Sequence, residues 1–270
     1  MSRLNRRRFI FHSAHRTVGL TATLAALPHS EVVAEFLEVE DAPKPPPKTL
    51  RLCLVSGSEE YRSDESLTWL ADYLQENFGI VSDKAFARGL KDLPGLEALD
   101  RCDCMVLFTR RLEIEGEPLE RIRRYFAQGR PAVGIRTASH AFQKWLALDK
   151  EVFGGDYGNH YGKDLLPRIE LAPGGRDHPI VRGFEPYVSP GSLYRNANLA
   201  DDVTVLLTGT IPGHTEPVAW TRIHNGGRVF YTSLGHPDDF RHRSFVRLIT
   251  SAIFWVCKQE IPDGVGRTGL

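Results

Sequence analysis

The sequence predicts an α/β fold built on a mostly parallel sheet covered on both faces. Two observations carry this. Short apolar runs alternate with segments of helical spacing from Leu50 to about Arg136, the order of a repeated strand-helix unit. The chain has 270 residues, 41% hydrophobic and 25% charged, an ordinary globular balance with length enough to bury a sizeable core.

Residues 50–56 (Leu-Arg-Leu-Cys-Leu-Val-Ser) read as a buried strand ended by Gly57. Residues 64–77 then place Leu67, Leu70, Ala71, Leu74 and Phe78 at helical spacing. A short strand at 81–86, a Leu-rich turn or helix through Leu99, a strand at 104–109 and a helix at 118–128 continue the alternation. Gly129-Arg130-Pro131 stops that helix, and 132–136 supply another apolar strand. The second half differs: 168–171, 203–208, 217–224 and 228–233 are strand-like with no long helix between them. Asn225-Gly226-Gly227 joins the last two as a hairpin loop. An amphipathic helix over 244–258, burying Phe245, Leu248, Ile249, Ala252 and Trp255, closes the fold.

Ahead of this domain, the net charge of zero hides an asymmetry. Residues 1–34 hold Arg3, Arg6, Arg7, Arg8 and Arg16 against the single acid Glu31, so the remainder is mildly acidic. A nucleic-acid reader needs a basic stripe to neutralise phosphates, and none lies beyond this tail. The order of the tail is Asn5-Arg6-Arg7-Arg8-Phe9, a diluted apolar stretch over 18–27, then Val32-Val33-Ala34. It resembles a twin-arginine export signal, which predicts an exported, periplasmic or cell-envelope protein; a disordered basic arm is the alternative. The apolar stretch is about half the ~20 residues a spanning helix needs, so no integral membrane segment is expected once the signal is removed. Residues 35–48 are acidic and then rich in proline (Pro43, Pro45, Pro46, Pro47), a semi-rigid spacer. The expected organisation is signal 1–34, linker 35–48, domain 49–262 and tail 263–270.

Cys53, Cys102, Cys104 and Cys257 lie within or beside apolar stretches, with no Cys-x-x-Cys pair. Buried free thiols are expected.

Ligands of open α/β sheets bind outside the carboxyl ends of the strands. The residues leaving those ends are 57–61, including Tyr61, then Arg110 and Arg111, 136–140 and 235–239, so His140 and His236 are expected to converge on one crevice. The strand-to-turn sequence Gly134-Ile135-Arg136-Thr137-Ala138-Ser139-His140 sits where a nucleophile elbow places its Ser or Cys. Arg136 holds the central position, and a guanidinium is not a nucleophile. Ser139 reads as a helix N-cap. Residues 154–162 form a loop with four glycines that carries Asp156, Asn159 and His160, with Tyr157 and Tyr161 suited to the apolar faces and hydroxyls of a sugar; a merely structural glycine-rich loop is the alternative. This loop lacks the Lys and the spacing of a nucleotide-binding loop. His140, His160 and His236, with Glu216 or Asp156, could supply a metal site, though without the short spacings of zinc signatures. The cofactor is thus left open, with a divalent metal the one candidate and no nucleotide motif.

His236-Pro237-Asp238 places an imidazole and an acid directly beyond a strand, suited to a general base, a metal ligand or a plain loop cap. Its order is that of the His-Pro-Glu of class I glutamine amidotransferases.

Five stretches together resemble the ThuA-like (trehalose utilisation) family. They are Gly134 to Phe142, the loop from Phe153-Gly154-Gly155 to His160, His178-Pro179-Ile180 with Gly183, Glu216-Pro217-Val218-Ala219-Trp220, and Gly227-Arg228-Val229-Phe230-Tyr231-Thr232-Ser233-Leu234-Gly235-His236. The resemblance runs from about Leu50 to Val256 and implies a flavodoxin-like, class I glutamine amidotransferase-like three-layer sandwich without the amidotransferase cysteine. It also implies an association with disaccharide or other carbohydrate metabolism. The family commonly shows Gly-Leu-His where this chain has Gly134-Ile135-Arg136, so the role of that His does not transfer.

Two functions compete. In one, a sugar or sugar derivative is bound or transformed, with His236 as acid/base, Asp238 as its partner, and Tyr61, Arg136, His140, Asp156, Asn159, His160 and Glu216 around the ligand. In the other, a non-catalytic exported module recognises a glycan or a protein through Tyr157 and Tyr161. Amidotransfer is excluded for want of the elbow cysteine.

Overall fold

The computed structural model describes residues 49–196 and 198–265. The signal segment, the Pro-rich spacer and residues 266–270 of the tail lie outside the described residues.

Nine strands form one sheet in the order β2-β1-β3-β4-β9-β8-β7-β5-β6. They are β1 (Arg51–Gly57), β2 (Val81–Phe86), β3 (Cys104–Thr109), β4 (Ala132–Ile135), β5 (Arg168–Leu171), β6 (Tyr187–Val188), β7 (Thr204–Ile211), β8 (His214–His224) and β9 (Gly227–Thr232). The pairs from β2 to β9 are parallel. Those from β9 to β6 are antiparallel. The expected mostly parallel sheet is therefore corrected to a mixed one, because β8 and β9 form a hairpin that extends the parallel half with reversed strands. The two-residue β6 carries no periodicity that a sequence reading could find.

Helices α1 (Ser63–Phe78), α2 (Glu117–Ala127) and α3 (Arg243–Val256) lie within a residue or two of the expected positions. α1 ends where Gly79, at φ 65°, donates its N–H to the Gln75 carbonyl at 3.0 Å, a left-handed cap suited to glycine. α2 carries Pro118 in its first turn and stops before Gly129, whose backbone closes on the hairpin loop so tightly that a Cβ would run into the Asn225 carbonyl.

Side chains alternate along the strands between two cores. Leu52, Leu54, Val106, Phe108, Val133 and Phe230 join the cluster packed by α1 and α3. Cys53, Val55, Met105, Leu107 and Tyr231 join the one packed by α2 and by the segment holding Phe142 and Phe153. Phe245, Leu248, Ile249, Ala252 and Val256 form the buried stripe of α3, each large side chain contributing roughly 1.5–3 kcal/mol of burial. The four cysteines are unbridged: Cys53, Cys102 and Cys104 are buried and Cys257 partly so. No helix among the described residues is long and apolar enough to cross a membrane.

Candidate functional site

The elbow after β4 turns inward. Arg136 takes φ 47°, a left-handed backbone unusual for a side chain of this size. Its guanidinium is 1% exposed. Nη1 donates to the Ser233 carbonyl at 2.8 Å, and Nη2 to the Tyr61 hydroxyl at 3.2 Å and to Ser192 Oγ at 3.3 Å. The cation lies 4.3 Å from the centre of the Tyr61 ring and 4.8 Å from that of Tyr194. Gly191 leaves room for it, since a Cβ there would lie 2.8 Å from Nη1. Arg136 thus fills the position of an elbow nucleophile with a buried plug whose terminal nitrogens are occupied by protein groups.

This plug separates the two histidines expected to converge. On one side Tyr61 meets the His236 ring edge-on at 6.5 Å. On the other Tyr194 lies 6.3 Å from His140 and 4.5 Å from Tyr157. His160 joins only through backbone pairing with Tyr194, and its Nδ1 lies 2.7 Å from the Tyr161 carbonyl. No group of three His, Cys, Asp or Glu that could hold a metal ion occurs among the described residues.

His236 is fastened by an unexpected acid. The carboxylate of Asp239, 0% exposed, accepts the N–H groups of Gly235 and His236, each at 2.9 Å, and the hydroxyls of Tyr187 at 3.1 Å and Ser189 at 3.2 Å. The expected partner, Asp238, stands beside the ring without a hydrogen bond to its carboxylate. His236 Nδ1 accepts the Asp238 backbone N–H at 3.2 Å, while the Asp238 carboxylate stands 3.7 Å from that nitrogen, beyond hydrogen-bond reach, and 3.3 Å from Arg241. Glu216 is likewise a fastener, accepting the Tyr161 hydroxyl at 2.8 Å and the Asn196 N–H at 2.9 Å.

Beside this stack, at the carboxyl ends of β3 and β4, opens a cleft of about 510 Å³. Of the expected residues it gathers His140, Asp156 and Asn159, and it adds Arg111, Ser139, Gln143, Asp149, Lys150 and Tyr157; Tyr61, Arg136, His160, Glu216, His236 and Asp238 are not part of its wall. Ser139 is no helix N-cap, because the chain makes only a 3-10 turn over Arg136–His140 and no helix follows there. Its hydroxyl lies 3.0 Å from His140 Nδ1. The His140 ring stacks on Tyr157 at 4.5 Å. Burial, reinforced by the charges of Arg111, Arg110 and Arg136, lowers its pKa to about 3, so the imidazole is neutral at pH 7.

Asp149 is the residue that sequence reasoning missed. It opens a short π-helical turn, Asp149–Phe153, and is 5% exposed. Oδ2 accepts the Tyr157 N–H at 2.9 Å, whereas Oδ1 is buried without a hydrogen-bond partner. Burial raises its pKa to about 7; the Tyr157 N–H opposes this and the charge of Asp156 adds to it. Gly155 lies directly over the carboxyl, where a Cβ would collide with Oδ1. One sequence signal was available. Asp149 stands among Trp145, Leu148, Val152 and Phe153, an acid on the apolar side of a helical spacing, where burial is expected to shift its pKa.

The wall of the cleft therefore includes a neutral imidazole and a buried carboxyl that holds its proton more strongly than an ordinary one. The site lies at the carboxyl ends of the parallel strands of an α/β fold with a mixed sheet, and Arg136 stands at the turn after β4. The family described as ThuA, trehalose utilisation, matches residues 53–256, and the chain belongs to it. Its fold is shared with a ThuA-like protein from Bacteroides uniformis (18% identity, TM-score 0.61, 80% of this chain and 95% of that one) and with one from Parabacteroides merdae (19%, 0.60, 80% and 94%). The carbohydrate deacetylase Agd3 shares it at 12% identity and TM-score 0.51, over 78% of this chain and 33% of that protein. No curated protein matches the chain.

Proposed function

We propose that this protein binds a carbohydrate or sugar derivative in the His140–Asp149 cleft and exposes it to proton transfer between these two groups. The observation that carries the reading is Asp149 itself. A buried carboxyl oxygen without a partner is costly unless something uses it, and here it belongs to a residue that lines a polar cleft beside a stacked His-Tyr pair suited to a sugar ring. The family description and the sugar chemistry of the deacetylase that shares the fold support the same substrate class. Amidotransfer has no place in it, because Arg136 stands where the nucleophile would be.

The test is a thermal-shift panel of mono- and disaccharides, keto-sugars and sugar acids on the wild type and on Asp149→Asn. A specific sugar raises the melting temperature of the wild type by mass action, and the variant responds less. A panel without any response removes the reading.

Export through the twin-arginine route belongs to the same proposal, supported by the order of basic, apolar and small residues over 1–34. Replacing Arg6 and Arg7 by Lys is expected to leave precursor in the cytoplasm, and normal export of that variant ends the export reading.

A further inference from the structure

We infer that the sugar held in this cleft is acidic, and that its carboxylate or phosphate group binds Arg111 with Lys150. The inference rests on the cleft being the sugar site. Two cations and two acids line its wall, and their partners divide them. Arg110, the neighbour of Arg111, is tied to Glu60 at 3.1 Å, but Arg111 and Lys150 make no ion pair among the described residues. Asp156 is engaged by the Asn198 side-chain amide at 3.1 Å. That amide is neutral, so Asp156 sets one negative charge against the two cations; Asp149 is buried and holds its proton more strongly than an ordinary carboxyl, and His140 is neutral, so the wall keeps an excess of positive charge.

Arg111 is also held in place. It has φ 50°, a left-handed conformation that is strained for a side chain of this type and persists only where the surroundings enforce it. Its N–H donates to the His140 carbonyl at 2.9 Å, and the next residue, Leu112, donates to the Ala141 carbonyl at 2.7 Å. These bonds fix the origin of the guanidinium beside the His140 turn while leaving its head exposed. A planar fork fixed at its base and free at its tip suits a carboxylate or phosphate, which it can bind through two parallel hydrogen bonds. A neutral sugar would leave both cations unused.

The experiment measures binding of glucose, glucuronate, glucose 6-phosphate and inorganic phosphate by calorimetry at low and high salt, on the full chain and on two variants. Arg111→Asn keeps a residue tolerant of the left-handed backbone, and Arg111→Lys keeps the charge. At least one acidic sugar is expected to bind about tenfold tighter than glucose, with an advantage that salt weakens and Arg111→Asn removes while Arg111→Lys retains part of it. Which of the two wins tells carboxylate from phosphate. Equal or tighter binding of glucose overturns the acidic-sugar inference and leaves the sugar site standing. Binding of inorganic phosphate as tight as that of the sugar phosphate also overturns it, because the site would then read only the anion. Failure of all three sugars overturns the acidic-sugar inference, and the wider panel of sugars then decides whether the site itself stands.

Discussion

Two neighbouring regions bury charge in opposite ways. Around the elbow, Asp239 receives two backbone N–H groups and two hydroxyls, and the terminal nitrogens of Arg136 reach a carbonyl, two hydroxyls and two tyrosine faces while its Nε is buried without a partner. In the cleft, the buried Asp149 has one N–H and a bare oxygen, and the exposed Arg111 has no carboxylate partner among the described residues. A carboxylate saturated as Asp239 is specifies a structure, while one left short of partners keeps capacity for a ligand. Asp239 follows β9 and Asp149 follows the turn after β4, so position beyond a strand end alone is a poor guide to where the chemistry sits.

The largest effect that can break this contrast is at the saturated end. Asp239→Ala removes one charge and strands two N–H groups and two hydroxyls in the interior, leaving the Arg136 cation with one fewer compensating charge. The expected cost is ~3–5 kcal/mol of folding free energy, read from urea unfolding. A loss below about 1 kcal/mol would mean that the network is not structural, and the two regions would no longer be distinguished by their bonding.

At the unsaturated end the signature is a pH slope. The folded-state pKa of Asp149 is raised from an ordinary value of about 3.9 to about 7, so the native state holds this proton longer than the unfolded chain does. Stability from this group is fully present below about pH 4 and is lost as pH rises to 7, on the order of 1.4 kcal/mol per unit. His140 acts in reverse. Its folded-state pKa is lowered from an ordinary value of about 6.5 to about 3, so its contribution is present above 6.5 and is lost as pH falls toward 3. Between about pH 4 and 6.5 the two slopes oppose each other. The stability of Asp149→Asn relative to wild type is therefore expected to rise with pH across this window, and that of His140→Gln to fall. Urea midpoints at four pH values measure both differences, and two flat differences would remove the case for a poised pair.

A smaller effect sharpens the role of the glycine loop. Gly155→Ala drives a methyl into Asp149 Oδ1. The loop must shift, at an expected cost of ~1–3 kcal/mol. In the Asp149→Ala background the oxygen is gone and the cost of Gly155→Ala should shrink, a coupling that a double-mutant cycle measures. An unchanged cost would mean that the glycine serves backbone geometry and not the carboxyl.

Much of the fold was legible in the sequence because periodicity is local. The spacing of Leu67, Leu70 and Leu74, the continuous apolar runs of β1 and β3, and Asn225-Gly226-Gly227 each encode an element within a few residues. What was not legible is relational. That β8 and β9 pair antiparallel beside a parallel half follows from the hairpin, but that β5 and β6 join beyond β7 depends on contacts no local pattern records. The site suffers more from the same limit. Position beyond a strand end pointed to His140, and the glycine-rich loop to Asp156 and Asn159, all three of which line the cleft, yet neither signal could foresee that Arg136 would fold inward and put a tyrosine-guanidinium stack between His140 and His236. Asp149 escaped because its significance lies in the missing partner of one oxygen, which only the packed chain reveals.

The smallest expected effect separates the two ends of that stack. His236 accepts one backbone N–H through Nδ1, and the buried carboxylate that holds its loop belongs to Asp239, so the loop does not depend on the imidazole. His236→Ala should therefore cost no more than about 1 kcal/mol of stability. It should also leave sugar affinity unchanged, since His236 is not part of the cleft wall. The sequence alone assigned the acid/base role to this residue, so the variant weighs the two placements directly. If it abolishes binding or turnover while Asp149→Asn does not, the working site lies on the His236 side of Arg136, and the bare oxygen of Asp149 is a packing defect that the fold tolerates.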